Sequence, residues 1–354
     1  MPPFGQLVLV PDFEVLVNGS PLPVEVAAHV VALSVEEDTE LPDMFSMEIV
    51  TSEELENEFE WIDDELFSVG NSVEVKMGYA DRLTSLFKGE MTGLEPSFGA
   101  DRLPALVVRG YDRRHRLTRG RHTRTFLNKK DSDIAAQIAS EAALTPDAKD
   151  SKVTHDYVLQ ANQTDYEFLI ERAARINYEL SVDDKTLIFR PVANSGGEAI
   201  TLLADRDLIE FNPRLSSAGQ VSGVQVRGWD AKNKKGIVAL AQAGDEVSKM
   251  GGRKSAASIS SAAFGGATGT LSSLPVMTQA EADQIAVGRF NSASLELIAG
   301  DAACAGLTDL RPGRVVKIGG AGKRFSGQYY VTAAAHIYTP GGYLTRFSFR
   351  RNAL

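Results

Sequence analysis

The sequence has almost no cysteine and no long apolar run. Cys304 is the single cysteine among 354 residues, which excludes an internal disulfide and favours a reducing compartment. No apolar stretch is long enough to cross a bilayer, and the N-terminus lacks the basic and apolar segments of a secretory signal. We therefore expect a protein that is made in a cytoplasm and has no stable membrane insertion.

Recognisable catalytic and metal-binding motifs are also scarce. The sequence contains no G-x-S-x-G nucleophile turn, and the GGAGKR segment at 319–324 lacks the leading glycine and the hydroxyl residue of a phosphate-binding loop. The histidines have no metal-ligand spacing to one another or to Cys304. They are His29, His115, His122, His155 and His336. We expect no metal site, no cofactor and no catalytic centre.

Charge is unevenly distributed along the chain. The net charge is -10, yet fifteen acidic residues and no Lys or Arg lie between Glu36 and Val75, whereas ten basic residues and one acid lie between Arg102 and Lys130. Most such runs are solvated surface, but two opposite patches on one domain also suit a protein that packs against its own copies. We predict ion pairs between the two runs, within one subunit or between neighbours. The acids would be Asp63, Asp64 and Glu65, and the bases Arg113, Arg114 and Arg116.

Two other functions compete with an assembly role. Residues 109–130 could bind nucleic acid through their basic side chains, although the chain is acidic overall and the segment lacks a binding motif and interleaved aromatics. Asp63, Asp64 and Glu65 could instead supply the paired acids of an enzyme that cleaves a glycan such as peptidoglycan. Adjacent carboxylates in an acidic stretch are more often solvated, so both remain alternatives.

One pattern of turns and strands occurs twice. In the C-terminal block, strands are predicted at 315–318, 328–334 and 344–349, with glycine turns between them. The earlier copy has strands at 73–75, 90–94 and 105–108. A Phe-x-Gly anchor and an Arg-Arg pair recur in both copies. We interpret the pattern as a duplicated β-domain, because two copies separated by most of a domain do not make a solenoid.

Residues 119–195 predict a compact α+β insert between the copies. Asp131 begins a helix that has Ile134 and Ile138 on one face. Thr164 and Glu167 form a capping box for a second helix, because each side chain can satisfy an unpaired backbone amide. Two strands near 178–182 and 187–189 follow, joined by a turn.

The segment after the insert returns to strands, with a hairpin around Asn233. Residues 244–274 are rich in Gly, Ser and Ala, which predicts a flexible loop that becomes ordered only against a neighbour; the alternative is a passive linker that is ordered only at its ends. Phe264, Leu271 and Leu274 would be its apolar anchors. Thr278 and Glu281 form a second predicted capping box, which begins a helix over 279–295.

Four stretches, in order along the chain, resemble one family. They are GYDRRHRLTRGR at 110–121, a V-x-Q…D-x-x-F-L-x-R…Y pattern from Val158 to Tyr178, VRGWDAKNKKGI at 226–237 and FSGQYYVTAAAHIY at 325–338. The chain is similar through them to the VgrG and phage late control D family. This family forms the baseplate hub, or spike base, of contractile phage tails, type VI secretion and extracellular contractile injection systems.

The resemblance implies a mainly β fold with an α+β insert, in which two related small antiparallel β-barrels resemble the tail tube. Three subunits would place six barrels in a pseudo-hexameric ring, which adapts a threefold spike to the sixfold inner tube. It also implies a structural role without catalysis. The partners would be the chain's own copies in a homotrimer, the inner tube protein, a separate spike or tip protein and other baseplate components. Such a protein is made in the bacterial cytoplasm and resides in the baseplate of a contractile particle.

We predict three domains on this basis. They are a first tube-like barrel at 1–118, the insert at 119–195 and a second tube-like barrel at 196–354, the last with the loop at 244–274 and the helix at 279–295. Full-length VgrG continues into a further barrel and a β-helical spike, whereas this chain stops at Leu354. If the chain is complete, the spike is expected to be another polypeptide.

Overall fold

Strands dominate the structure, a computed structural model that describes residues 10–50, 61–80, 82–99, 102–195 and 200–354. Thirteen of the strands form one sheet that includes both ends of the described chain, and the others form three small sheets. The protein is therefore mainly β, as the sequence predicts. In these described residues, no helix is both long and apolar enough to span a membrane.

The first repeat is built from seven strands and one short helix. In the fourth strand, apolar residues alternate with half-exposed ones, so Phe45, Met47 and Ile49 all point into the core. The elements are β1 (Pro11–Val17), β2 (Ser20–Pro21), α1 (Val24–Ala27), β3 (Val30–Asp38), β4 (Met44–Val50), β5 (Ser72–Tyr79), β6 (Arg82–Gly99) and β7 (Arg102–Asp112).

The insert has the predicted α+β composition and a core of its own. Ile134 and Ile138 are fully buried in that core. The capping box is confirmed, since the Thr164 hydroxyl accepts the Glu167 N–H and the Glu167 carboxylate accepts the Thr164 N–H. The elements are β8 (His122–Lys130), α2 (Asp131–Glu141), β9 (Thr145–Ala148), β10 (Thr154–Gln163), α3 (Asp165–Arg175), β11 (Tyr178–Asp183) and β12 (Thr186–Pro191).

The rest of the chain contains the second repeat and a small side unit. The predicted hairpin around Asn233 is confirmed as the pair β15 and β16, which packs with β17 and α5 around a separate apolar cluster. The elements are β13 (Ile200–Leu203), β14 (Leu208–Leu215), β15 (Gly223–Asp230), β16 (Lys235–Gln242), α4 (Ala256–Phe264), β17 (Thr268–Leu271), α5 (Gln279–Leu295), β18 (Ile298–Ala305), β19 (Val315–Gly319), α6 (Gly322–Phe325), β20 (Gly327–Thr339) and β21 (Gly342–Arg351).

Residues 244–274 are not the structureless loop that their composition predicts. They contain α4 and β17, and β17 pairs in parallel with β15. Ala256 and Ala257 are buried, and the backbone N–H groups of Arg253 and Lys254 donate to the carbonyl of Leu354. The small residues allow close packing within the same chain, so the prediction that order comes only from a neighbour is wrong.

The duplication is visible in the strand order. The first repeat has the order β3-β4-β7-β6-β5-β1, and the second has β14-β18-β21-β20-β19-β13. Both repeats bulge at the same two places, which involve Val31 and Thr92 in the first and Ile209 and Thr332 in the second. One pairing differs, because β1 pairs with β5 antiparallel and β13 pairs with β19 parallel.

The bulges also correct the alignment of the repeats. They make Thr92 equivalent to Thr332. Gly89 is then equivalent to Tyr329 and not to Gly327. The Phe-x-Gly segments and the Arg-Arg pairs therefore do not coincide in the two repeats. Phe87-Lys88-Gly89 lies inside β6 and does not begin a strand. The repeat is real in topology, but these two sequence anchors are coincidental.

The two repeats are joined through β20. One edge of this strand pairs with β21 along its length, whereas the other pairs first with β19 and then with β3 of the first repeat. Among the described strands, the thirteen-stranded sheet stays open, and no closed barrel is formed. The two-barrel arrangement and the domain boundaries remain predictions.

Candidate functional site

The junction between the two repeats is the most distinctive polar region of the fold. We define the central junction as the pairing of β20 with β3, together with the buried residues Glu37 and His336 and the half-buried Arg311. The strands pair from Ala333 opposite Asp38 to Tyr338 opposite Leu33. The junction therefore fixes how one repeat is placed against the other.

Glu37 and Arg311 make an ion pair across this junction. The Arg311 Nε–H donates to the Glu37 carboxylate at 2.7 Å, and its Nη2 donates to the carbonyl of Leu86 at 2.8 Å. Glu37 is only 5% exposed. Burial raises the pKa of Glu37, and the charge of Arg311 opposes that rise. The ion pair thus joins the first repeat to the segment that leads into β19.

His336 lies beside this pair, with its Nε2 3.6 Å from the Glu37 carboxylate. Its Nε2 is 3.1 Å from the carbonyl of Leu310, so this nitrogen carries the proton and donates. Its Nδ1 then accepts from the Tyr343 hydroxyl at 2.7 Å. Burial lowers the pKa of His336 to about 4, and the positive charge of Arg311 acts in the same direction.

Arg114 connects the first repeat to the insert. Its side chain is fully buried, and it donates to Asp112 at 2.7 Å and to Asp43 at 2.5 Å. The remaining nitrogen faces the carbonyls of Asp38 and Leu180, at 3.2 and 3.4 Å. Asp112 also begins the 3-10 helix Arg113–Thr118 by accepting the Arg114 N–H. One guanidinium thus holds the ends of β3 and β7 against β11.

Glu90 is the acceptor for the other two arginines of this segment. It accepts from Arg113 at 3.3 Å, from Arg116 and from His115 at 2.9 Å. Arg113 also donates to Asp184, in the turn between β11 and β12. Burial alone would raise the pKa of Glu90, but the hydrogen bonds from Arg116 and His115 and the nearby positive charges hold it below its usual value.

Among the described residues, one ion pair does join the two runs, that of Arg114 with Asp43, but Asp63, Asp64 and Glu65 do not form the pairs predicted for them. The three arginines form ion pairs with other carboxylates. Arg113 and Arg116 pair with Glu90, Arg113 also pairs with Asp184, and Arg114 pairs with Asp43 and Asp112. In the described part of the chain, no Lys or Arg reaches Asp63, Asp64 or Glu65, and Asp64 instead accepts the Leu66 N–H at the 3-10 helix Glu65–Phe67. Pairing between subunits remains a prediction.

The basic segment 109–130 is largely neutralised by carboxylates of the same chain. Arg109 pairs with Glu95 at 2.9 Å, and Arg121 pairs with Glu167 at 2.8 Å. Arg124 pairs with Asp165 at 2.6 Å. These contacts tie the segment to the chain's own helices and strands, and they disfavour the nucleic-acid alternative, which needs free cations along the phosphates.

The three predicted apolar anchors lie in different environments. Leu271 and Leu274 are partly buried and pack against the apolar cluster of the side unit. Phe264, at the end of α4, is 76% exposed. Of the three, Phe264 alone presents most of its side chain to solvent.

A cleft of about 310 Å³ opens beside the central junction. Charged side chains that line it pair with other polar side chains of the same chain. Arg190 pairs with Glu179 at 2.7 Å, and the Tyr330 hydroxyl donates to the same carboxylate. Asp63 and Asp64 do not line this cleft. Among the described residues, no cluster of three or more His, Cys, Asp or Glu could hold a metal ion.

Sequence reasoning did not identify Glu37, Arg311 and His336 as a group. Glu37 was one acid of a long acidic run, and Arg311 precedes the predicted turn at Pro312. One available signal was the position of Glu37 in β3, where the alternation of apolar residues points its side chain inward. A charged residue at an inward position predicts a buried partner.

Solved structures with a similar fold are tail proteins and a secretion-system component. A 43 kDa tail protein of prophage MuSo2 from Shewanella oneidensis has a TM-score of 0.72 at 13% identity, with 96% of this chain and 98% of that chain covered. A tail protein from Neisseria meningitidis has a TM-score of 0.69 at 13% identity, with 97% of each chain covered. At these identities the similarity shows a shared fold.

A third similar structure comes from E. coli. It is a component of the type VI secretion system, described as structurally similar to T4 bacteriophage tail proteins, with a TM-score of 0.59 at 14% identity over 96% of this chain and 77% of that one. No curated protein sequence matches the chain significantly. A family model described as Alg8 N-terminal domain matches residues 8–339.

Proposed function

This chain belongs to the Alg8 N-terminal domain family, and we propose that it is the structural hub in the baseplate of a contractile injection machine. The machine would be a phage tail, a type VI-like system or an extracellular injection system. The hub would be a VgrG-like or late control D-like protein that adapts a threefold spike to a sixfold inner tube. The shared fold with phage tail proteins and with a type VI secretion component supports this role.

The observation that carries the proposal is the duplicated strand order. Each repeat has the same six-strand order and the same two bulges, and β20 continues the sheet from one repeat into the other. Two equivalent units per chain become six units when three copies assemble. A homotrimer of this chain would therefore present a pseudo-sixfold ring to a sixfold tube and remain threefold towards a spike.

The role we propose is the transmission of force without catalysis. A part that bears load between tube and spike needs repeats that do not separate. The ion pair of Glu37 with Arg311 joins the two repeats, and the buried guanidinium of Arg114 reaches the insert through the carbonyl of Leu180. Its partners would be the inner tube protein, a separate spike or tip protein and other baseplate components.

Native mass spectrometry of the purified chain tests the assembly. The chain has a mass of 38.2 kDa, and we expect a species at three times that mass at micromolar concentration. Averaged electron microscopy of the particle should then place three copies between tube and spike. A particle that contains one or six copies at this position would contradict the proposal. Release of peptidoglycan fragments by the purified chain would support the enzymatic alternative instead.

A further inference from the structure

Two strand edges of the sheet, one on β14 and one on β6, have no partner among the described strands. The equivalent edges in the other repeat, on β3 and β20, pair with each other within the chain. β14 is an end strand of the thirteen-stranded sheet, and no described strand pairs with its outer side. β6 pairs with β5 only as far as Glu90, so within the described residues the side of 93–96 that faces away from β7 also has no strand partner. In the second repeat, the edge equivalent to 93–96 is the part of β20 that pairs with β3.

We propose that β6 of one copy pairs antiparallel with β14 of the next, which continues the sheet around a ring of three copies. The proposal rests on the homotrimer of the proposed function and adds the surfaces and the register that form it. β14 is the counterpart of β3, and β6 is the counterpart of β20. The contact between copies would repeat the contact within the chain. It is heterologous, and such contacts form closed rings when the rotation closes.

The bulges define which residues of the two repeats are equivalent. The register of β20 against β3 within the chain therefore gives the register of β6 against β14 between copies. Thr92 corresponds to Thr332 and Ile209 corresponds to Val31, so the pair Ala333–Asp38 becomes Gly93–Ser216. The following pairs are then Leu94 opposite Leu215, Glu95 opposite Arg214, and Pro96 opposite Pro213 of the neighbouring copy.

The charges at this register are complementary. Glu95 has 57% of its side chain exposed while it contacts Arg109 at 2.9 Å. Arg214 is exposed, and among the described residues no carboxylate lies within ion-pair distance of it. Pairing across the copies would give Arg214 a directly opposite acid, which favours this register over a slipped one.

The two prolines limit the strength of the contact. Within the chain, the Thr39 N–H donates to the carbonyl of Thr332 at 3.0 Å, so by alternation His336 and Val35 occupy a hydrogen-bonded pair. Pro96 and Pro213 stand at the equivalent positions and have no N–H to donate. The contact between copies would therefore have fewer hydrogen bonds than the contact within the chain. Proline also protects each edge from pairing with unrelated strands before assembly.

A cysteine pair tests the register directly. Glu95 and Arg214 would form a non-hydrogen-bonded pair, whose Cα separation of about 4.5 Å suits a disulfide. Particles that contain the double variant Glu95→Cys/Arg214→Cys should yield a covalent trimer on a non-reducing gel. Each single variant controls for the buried Cys304. The variant Glu95→Cys/Asn212→Cys, which shifts one cysteine by two residues along the same face, should link far less.

Charge variants provide an independent measurement. Glu95→Arg or Arg214→Glu alone should weaken the trimer by about tenfold or more in native mass spectrometry, and the double exchange should restore it. Replacing Pro213 by Val, the residue at the equivalent position in β3, should strengthen the trimer. A trimer with no link in the matched pair, or with equal links in both pairs, overturns this register and leaves the hub function intact. A particle with no trimer of this chain overturns both.

Discussion

Arg311 and Glu37 lie 274 positions apart in the sequence and 2.7 Å apart in the fold. Their ion pair crosses from the segment before β19 to β3, which belong to different repeats. Glu37 is nearly inaccessible to solvent, and Arg311 also contacts the backbone of β6 through the Leu86 carbonyl. The pair therefore holds three parts of the sheet together at the place where the repeats join.

Removal of either partner should destabilise the protein. Replacement of Arg311 by Met leaves the buried Glu37 without its cation, and we expect a loss of about 3 kcal/mol in the free energy of unfolding. Glu37→Gln should cost a similar amount, and the double variant should cost less than the sum of the two. Urea unfolding measures these values. Lys317→Met, which removes an exposed cation from β19, is the control and should change little. Additive losses would contradict a direct pair.

The contribution of His336 to the stability of the fold should fall as the pH drops below about 6.5. The pKa of His336 is lowered to about 4 by burial, whereas an unfolded histidine titrates near 6.5. Below that value the unfolded chain binds the proton first, so stability that is complete above pH 6.5 is lost as the pH falls towards 4. The loss from this group is about 3 kcal/mol.

The variant His336→Gln isolates this effect from the titrations of Glu37 and Asp43, because burial raises the pKa of both carboxyl groups, that of Asp43 to about 7, and they act in the opposite direction. In urea unfolding, the free energy of unfolding of the native chain relative to that of the variant should fall between pH 7 and pH 4. Parallel curves for the two proteins would show that His336 is not responsible.

The packing of the insert against α5 depends on one glycine. A Cβ on Gly288 would lie 2.7 Å from the carbonyl oxygen of Arg175, at the end of α3. Gly288→Ala should raise helix propensity, yet we expect a net loss of about 1–3 kcal/mol because the backbone of the insert must move. Ser292→Ala, on the exposed side of the same helix, should be neutral or stabilising. Thermal unfolding followed by circular dichroism compares the two, and a stabilised Gly288→Ala would contradict the close approach.

Local features of the fold were predictable from the sequence, because their causes lie within a few residues. The capping box of Thr164 and Glu167 and the hairpin around Asn233 depend on adjacent side chains and turns. The helix that begins after Thr278 was also predicted, although Glu281 accepts from the Met277 N–H and from Arg175 instead of completing a capping box. A partner from the insert decides that geometry, and local reasoning does not include it.

The central junction could not be predicted in the same way. The pairing of β20 with β3 joins residues separated by most of the chain, and many antiparallel registers satisfy the same period-two pattern. The composition of 244–274 was misleading for a related reason. Small residues indicate flexibility when nothing packs on them, but Ala256 and Ala257 are covered by other parts of the same chain.

Phe264 allows the assembly role of this region to be separated from its folding role. The side chain is 76% exposed at the end of α4, so Phe264→Ser should change the free energy of unfolding by no more than about 0.5 kcal/mol. Ala257→Asp places a charge where the native side chain is 1% exposed, and it should unfold the side unit. If Phe264 contacts another copy or another baseplate protein, Phe264→Ser should lower the yield of assembled particles while the purified chain melts normally. An unchanged particle yield would show that Phe264 is not an interface anchor. A deletion of residues 252–270 would not make this distinction, because it removes all of α4 and most of β17.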